Sequence, residues 1–156
     1  AFLELKLPGT RVVVGDGPQL SQLKNQHPDV VFPGARYGAE LAAWYASADV
    51  FVFPSLTDTF GLVILESLAC GTPVAAFPVT GPLDVIENGV TGYLDNDLAA
   101  AVDRAIELDR ATCRREALKR DWSSITHQFL QALMPVNSDK ARAWRERRWA
   151  SQVTPA

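Results

Sequence analysis

The chain has 156 residues (17.0 kDa), of which 47% are hydrophobic and 21% charged, a composition that excludes intrinsic disorder. Fifteen basic residues against eighteen acidic ones leave a formal charge of −3, which excludes a dedicated nucleic-acid binder, since phosphate contacts need a basic excess. Cys70 and Cys113 are the two cysteines, and neither sits in a C-x-x-C pair, so no disulfide framework or zinc knuckle is indicated and a reduced, cytoplasmic compartment is expected.

In chain order, residues 11–14 (RVVV) are short, β-branched and stopped by Gly15-Asp16-Gly17-Pro18, which predicts a strand and a turn. Residues 20–26 read as a short helix ended by Pro28, and 30–32 as a second strand stopped by Pro33-Gly34. Residues 38–48 place Leu41, Ala42, Trp44, Tyr45 and Ala48 at helical spacing. Residues 49–53 (DVFVF) predict a third strand, apolar on both faces, followed by Pro54-Ser55. A helix over 61–70 is closed by Gly71, and 73–77 predict a fourth strand. A short helix over 83–88 ends in the Asn88-Gly89 turn, 92–94 form an edge strand, and 97–108 form a helix that Asp97 is placed to cap. Helices over 110–118 and 123–134 follow, the second capped by Ser123. The chain opens as though in mid-helix at residues 1–5, without a leader, and is expected to be a piece of something longer.

The βαβα rhythm, with strands apolar on both faces, predicts an α/β fold: a Rossmann-like, doubly wound parallel sheet covered by helices. Residues 1–134 are expected to form this domain and 135–156 a basic tail, helical or frayed. Ligands in such folds lie at the carboxyl ends of the strands, so the loops at 15–19, 33–38, 54–61 and 77–83 are the candidate sites. The informative stretch runs from Pro54 to Pro73. Its helix is apolar almost all round and is expected to be buried, with Glu66 as its one charge. A buried carboxylate costs several kcal/mol, to order of magnitude, unless it is paired. Nothing basic lies within a helical turn of Glu66, so its partner is a distant group or a ligand; an internal salt bridge is the structural alternative. Ahead of the helix, the backbone amides of residues 59–63 and the helix dipole make an anion site. Gly61, without a Cβ, lets backbone approach a ligand. Plain capping by Asp58, Thr57 or Thr59, and a simple turn at Gly61, are the alternatives.

Asp58 and Glu66, eight apart across Phe60-Gly61 and followed by Ala69-Cys70-Gly71-Thr72-Pro73-Val74, resemble the paired-acid motif of the retaining group 1 glycosyltransferases of GT-B architecture. The likeness extends to Val14-Gly15-Asp16-Gly17-Pro18, Val31-Phe32-Pro33-Gly34, Ala48-Asp49-Val50-Phe51-Val52-Phe53-Pro54-Ser55 and Gly81-Pro82…Asn88-Gly89…Gly92, and so covers residues 1–134 in order. The wording Thr57-Asp58-Thr59-Phe60-Gly61…Pro78-Val79-Thr80-Gly81-Pro82 is similar to bacterial α-mannosyltransferase-like members. The resemblance implies the C-terminal, donor-binding half of a GT-B enzyme that moves a hexose from a nucleotide-sugar (GDP-mannose or UDP-glucose type) to a lipid or saccharide acceptor. It implies a catalytic pair, with Glu66 on the ribose hydroxyls and Asp58 on the donor sugar, where most members carry the longer Glu. It also implies that the amides of Phe60, Gly61 and Leu62 face the diphosphate and sugar, that Gly34 and Arg36 flank the base beside Tyr37, and that Gly15, Gly17 and Thr59 join the donor contacts. Such enzymes need no cofactor or metal, and His27 and His127 stand isolated and read as surface or capping residues.

Members begin this domain with a strand bearing a Gly-Arg pair and then a Lys that clamp the diphosphate, and these are missing here, as is the N-terminal acceptor domain. In the strand order 3-2-1-4-5-6 the missing strand is central, so residues 11–14 and 49–53 are expected to lack their shared neighbour. The chain alone is then expected to be inactive, and marginally stable, associating, or with the two orphaned strands collapsed onto each other. A non-catalytic nucleotide-sugar-binding module is the alternative function, and an unrelated receiver-like or flavin-binding domain the alternative fold. Residues 137–156 carry five basic and two acidic residues, with Arg142, Arg145 and Arg148 on one helical stripe beside Trp144 and Trp149. That tail is read as a frayed end, a helix returning to the N-terminal domain, or a peripheral contact with the inner face of the cytoplasmic membrane.

Overall fold

Three valines in a row, Val12–Val14, build strand β1, and the Gly15-Asp16-Gly17-Pro18 turn leads into helix α1 (Leu20–Gln26). The computed structural model describes residues 2–133 together with Asp139, Arg142 and Ala143. Ala1–Leu118 form one compact unit and Lys119–Ala156 a second. The opening residues make a single 3₁₀ turn, Phe2–Glu4, rather than the end of a helix.

Strand β2 (Val31–Gly34) runs parallel to β1, with Val12 opposite Val31 but Val14 opposite Gly34. The strand β2 thus spends one extra residue in the stretch that holds Pro33. A proline gives the ladder no N–H, and it fits an edge strand at such an irregularity. Helix α2 (Gly38–Ser47) leads to β3 (Phe51–Phe53), α3 (Leu62–Ala69), β4 (Val74–Ala76), α4 (Pro82–Val85), β5 (Gly92–Leu94), α5 (Leu98–Ala105) and α6 (Arg110–Leu118). Strands β3, β4 and β5 pair in parallel in that order, with Phe51 opposite Val74 and Val74 opposite Gly92. Gly92 has to be glycine: a Cβ there would stand 2.2 Å from the Val74 carbonyl oxygen.

The sheet is therefore in two parts, β1-β2 and β3-β4-β5, and the break falls between the strands expected to lack a neighbour. Neither edge is closed by the other, so the two have not collapsed together. The interruption also corrects the expectation that every strand is buried on both faces. Only β4 is wholly buried; β1 is half-buried throughout, and β3 reaches the core only at Phe53. Strand β4 is doubly wound as predicted. Val74 and Ala76 join Phe53, Ile64, Leu68, Val85, Ile86, Cys113 and Ala117 on one face, while Ala75 meets Ala101, Val102 and Ala105 of α5 on the other.

Two helix boundaries differ from expectation for identifiable reasons. The predicted helix over 83–88 is α4, ending at Val85, because Ile86 turns extended and Thr91 Oγ1 accepts the Glu87 amide 2.9 Å away. In the second unit, α7 (Trp122–Ala132) is capped by Asp121, not Ser123. Asp121 is extended and accepts from the Ser124 amide at 2.7 Å, while Ser123 already lies inside the helix. Asp97 does cap α5, accepting from the amides of Ala99 and Ala100. The arginine and tryptophan stripe predicted for the tail lies outside the described residues except at Arg142, which pairs with Asp139 at 3.6 Å.

Arg110, at the start of α6, ties the first unit together. Its guanidinium donates to the carbonyls of Ala46 and Ala48 at the end of α2 and to Thr72 Oγ1, and that hydroxyl in turn donates to the Tyr45 carbonyl at 2.6 Å. Arg114, one turn on, donates to Ala69 O at the end of α3. Hydrogen bonds to a charged group contribute about 1.5–3 kcal/mol net when well shielded, less where solvent competes, and buried carbonyls left without donors are costly. Arg110→Met keeps the aliphatic stem and removes the donors, so urea denaturation is expected to show a loss of about 2–3 kcal/mol. A change below about 0.5 kcal/mol would show that water replaces the guanidinium at no cost.

Candidate functional site

The carboxyl ends of β3 and β4 lie side by side, and the loops that leave them face each other across an open cleft of about 680 Å³. Leu56, Thr57, Asp58 and Thr59 line one side, and Pro78, Val79, Thr80 and Leu83 the other. That volume suits a small-molecule ligand, and a mixture of apolar walls with a few convergent hydroxyls and one carboxylate is the usual make-up of such sites. The two walls touch where Gly81, at φ +92°, starts α4. A Cβ at residue 81 would come within 3.1 Å of the Asp58 carbonyl oxygen and 3.3 Å of the Phe60 nitrogen.

Asp58 is half-buried, and its Oδ1 accepts the Phe60 amide at 2.9 Å. This is an aspartate turn within the loop, not a helix cap: the cap position of α3 is Gly61, in the left-handed region at φ 76°, with no side-chain cap. Of the amides expected to face an anion, that of Phe60 is thus engaged by the loop itself, while Leu62 and Val63 open the first turn of α3. Gly61 is needed for an internal reason as well as by its φ, because a Cβ there would stand 2.8 Å from Ile64 Cδ1.

Glu66 is where the reading of the sequence needs correction. It is exposed, not buried, and α3 is not covered all round. Ile64, Ser67 and Leu68 enter the core, whereas Leu62 (55% exposed), Val63 (37%) and Glu66 share the opposite face. High apolar content does not choose a face; the helix rests on the sheet and α6 on one side only. The partner of Glu66 within the chain is a distant group, as expected, and is not a cation. The Tyr45 hydroxyl, on α2, donates to Glu66 Oε2 at 3.4 Å. Tyr45 itself is half-buried, its ring packed edge-on against Phe51 at 5.4 Å and 86°. Burial, followed by the negative charge of Glu66 and the hydrogen bond to it, pushes the phenol up to about 12.

The remaining candidates gather at the other pair of strands. Gly15 N–H donates to the Gly34 carbonyl at 3.1 Å, so the two glycines sit together at the carboxyl ends of β1 and β2. Gly17 follows in the exposed turn, its amide donating to Asp16 Oδ1. Arg36 lies just before α2, its Nε 3.7 Å from Glu40 and its Nη1 on the Ala35 carbonyl. The structure therefore groups Asp58, Thr59, Phe60, Gly61 and Leu62 at one loop and Gly15, Gly34 and Arg36 at another. Helix α2 runs from the second group at Arg36-Tyr37 to Glu66 at Tyr45. The loop at 77–83 is among the candidate loops of the sequence, whereas Tyr45 is the residue that a search for acids and glycine loops does not find. Tyr45 was counted as an apolar helical position, and only its hydroxyl separated it from core aromatics.

A family model described as glycosyl transferases group 1 matches residues 5–109. The chain is 41% identical over 128 residues to a GDP-mannose-dependent alpha-mannosyltransferase of Mycobacterium tuberculosis, covering 76% of this chain and 34% of that protein. It is 39% identical over 138 residues to the sulfoquinovosyl transferase of Arabidopsis thaliana, covering 78% and 27%. Among solved structures, Anabaena HepE in complex with UDP-glucose superposes with a TM-score of 0.65 at 26% identity, over 85% of this chain and 43% of that one. Sucrose-phosphate synthase of Thermosynechococcus elongatus gives 0.67 at 29%, over 81% and 38%. The chain spans about a third of the length of the curated relatives it matches.

The raised phenol of Tyr45 makes a prediction about alkaline stability. The unfolded phenol ionises near its usual 10.0 and the folded one near about 12, so between these values the unfolded chain binds fewer protons and stability falls as pH rises. Tyr45→Phe removes that contribution. The drop in melting temperature between about pH 9 and 11.5 is expected to be smaller in the variant than in the wild type. Equal drops in the two proteins would mean that Tyr45 ionises alike folded and unfolded.

Proposed function

The chain belongs to the group 1 glycosyl transferases, and we propose that it holds the nucleotide-sugar donor for a retaining hexosyl transfer. The observation that carries this reading is the open cleft at the carboxyl ends of β3 and β4, lined by Asp58 and the hydroxyl-bearing Thr57 and Thr59 of the loop that leads into α3, and by Thr80 of the loop that leads into α4. Hydroxyls and a carboxylate suit a sugar, and the first turn of α3 suits a diphosphate. Asp58 Oδ1 is taken by the Phe60 amide, so Oδ2 is the oxygen free to accept from a sugar hydroxyl. Glu66, exposed on the same helix, accepts the ribose hydroxyls, with the loops at Gly15, Gly17 and Gly34 and the Arg36 side chain toward the base.

The names of the relatives favour GDP-mannose as donor, and the UDP-glucose bound to HepE keeps a UDP-sugar as the second candidate. In the reaction proposed, the bond from the sugar C1 to the diphosphate breaks and one to an acceptor hydroxyl forms. The proton of that hydroxyl leaves with the diphosphate, whose charge is met by helix amides and positive side chains without a metal. The acceptor is a lipid or a saccharide, and residues beyond this chain bind it, so the chain by itself binds donor without transferring sugar. A cytoplasmic setting, at the inner face of the membrane for a lipid-linked acceptor, goes with this reading, and the free thiols of Cys70 and Cys113 support it.

Glu66→Gln keeps the shape and removes the charge. Calorimetric titration with GDP and UDP is expected to show binding weakened about tenfold, ~1.4 kcal/mol, in EDTA as in its absence. Because the side chain is exposed, the melting temperature is expected to stay within about 2 °C of wild type. Unchanged affinity together with a large fall in stability would make Glu66 a structural partner of Tyr45 and reject the site reading.

A further inference from the structure

We infer that Tyr45 is a positioning residue, holding the carboxylate of Glu66 in the one orientation that presents its second oxygen to the ribose diol. The inference rests on the reading of Glu66 as the ribose-binding acid and adds the group that aims it. An exposed glutamate has several rotamers of similar energy, and a ligand must choose among them at an entropic cost. Here one oxygen, Oε2, is taken by the Tyr45 hydroxyl at 3.4 Å, which leaves Oε1 for a ligand. An aim is only as steady as the group that gives it, and Tyr45 is fixed at two places. Its carbonyl accepts from Thr72 Oγ1 at 2.6 Å, and Arg110 donates to the same Thr72 oxygen at 3.2 Å. Its ring packs at right angles to that of Phe51 on β3, with centroids 5.4 Å apart. With backbone and ring both held, the phenol oxygen stays within reach of Glu66 Oε2. Burial keeps the phenol protonated, so it remains a donor through the neutral and mildly alkaline range.

The test is a double-mutant cycle on the 156-residue chain, with Tyr45→Phe, Glu66→Gln and the pair, titrated with GDP and UDP and with their 2′,3′-dideoxy analogues. Tyr45→Phe is expected to weaken ribonucleotide binding about three- to tenfold, to leave the dideoxy analogues unaffected, and to have no effect in the Glu66→Gln background. Equal weakening of ribo- and dideoxynucleotides, or an undiminished effect in that background, overturns the inference, because the hydroxyl would then be acting on the fold. If Glu66→Gln weakens binding and Tyr45→Phe does not, the inference fails while the ribose-binding role of Glu66 stands. If Glu66→Gln has no effect, or the wild-type chain binds none of the nucleotides, the donor-site reading fails and takes the inference with it.

Discussion

Helix α2 ends in carbonyls that no helical amide can reach, and the donor that satisfies them comes from more than sixty residues later in the chain, on Arg110. That one guanidinium spans the end of α2, the turn between α3 and β4, and the start of α6. Thr72 is the intermediate: it is fully buried, its hydroxyl is shared between Arg110 and the Tyr45 carbonyl, and its own carbonyl accepts from Ser67. Gly71 lets α6 come this near, since a Cβ there would stand 3.2 Å from the Arg110 carbonyl oxygen. The placement of Tyr45, and through it of Glu66, is inherited from a hydrogen-bonding requirement at a helix end some distance from the cleft.

The second determinant is the size of side chains around β4. Ala75 faces Ala101 and Ala105, and such small residues let α5 lie close against the sheet. On the other face Val74 and Ala76 leave room for Ile64 and Leu68 of α3. Helix α3 is thereby pressed against the sheet by one narrow face, which is why Leu62, Val63 and Glu66 look outward. The loop ahead of α3 is anchored in the same way, because Gly61 admits the Ile64 side chain beneath it. Core packing and site exposure are two faces of one short helix.

The order of strands and helices, and the loops at 54–61 and 77–83 that form the cleft, were legible in the sequence, because β-branched runs and Gly and Pro stops are local signals. Even the break in the sheet could be anticipated from strand order. The exposure of Glu66 could not. Hydropathy reports what a side chain is, not which side of its helix a sheet occupies, and α3 is nearly as apolar on its open face as on its closed one. The partnership of Tyr45 with Glu66 was hidden for a related reason: the residues are 21 apart and on different helices, and nothing local couples them. The cap of α7 was missed by two residues because Asp121 and Ser123 are both good capping types, and only backbone conformation separates them. Gly81 was noted as part of a motif, but its work, backbone against backbone with residues 58–60, belongs to tertiary structure alone.

That contact at Gly81 bears on how the cleft takes up a ligand. At Gly81 the two loops that form its walls approach backbone to backbone, leaving no room for a side chain at that point. A cleft braced in this manner works as a fixed gauge. Its width is set when the protein folds, so the ordering of its walls is an expense of folding rather than of binding. The ligand gains the full benefit of any hydroxyl that fits and receives no accommodation for one that does not. On the proposed reading of the cleft as a sugar site, such walls discriminate among hexoses that differ only in the direction of a single hydroxyl, where a mobile loop would adapt to each in turn.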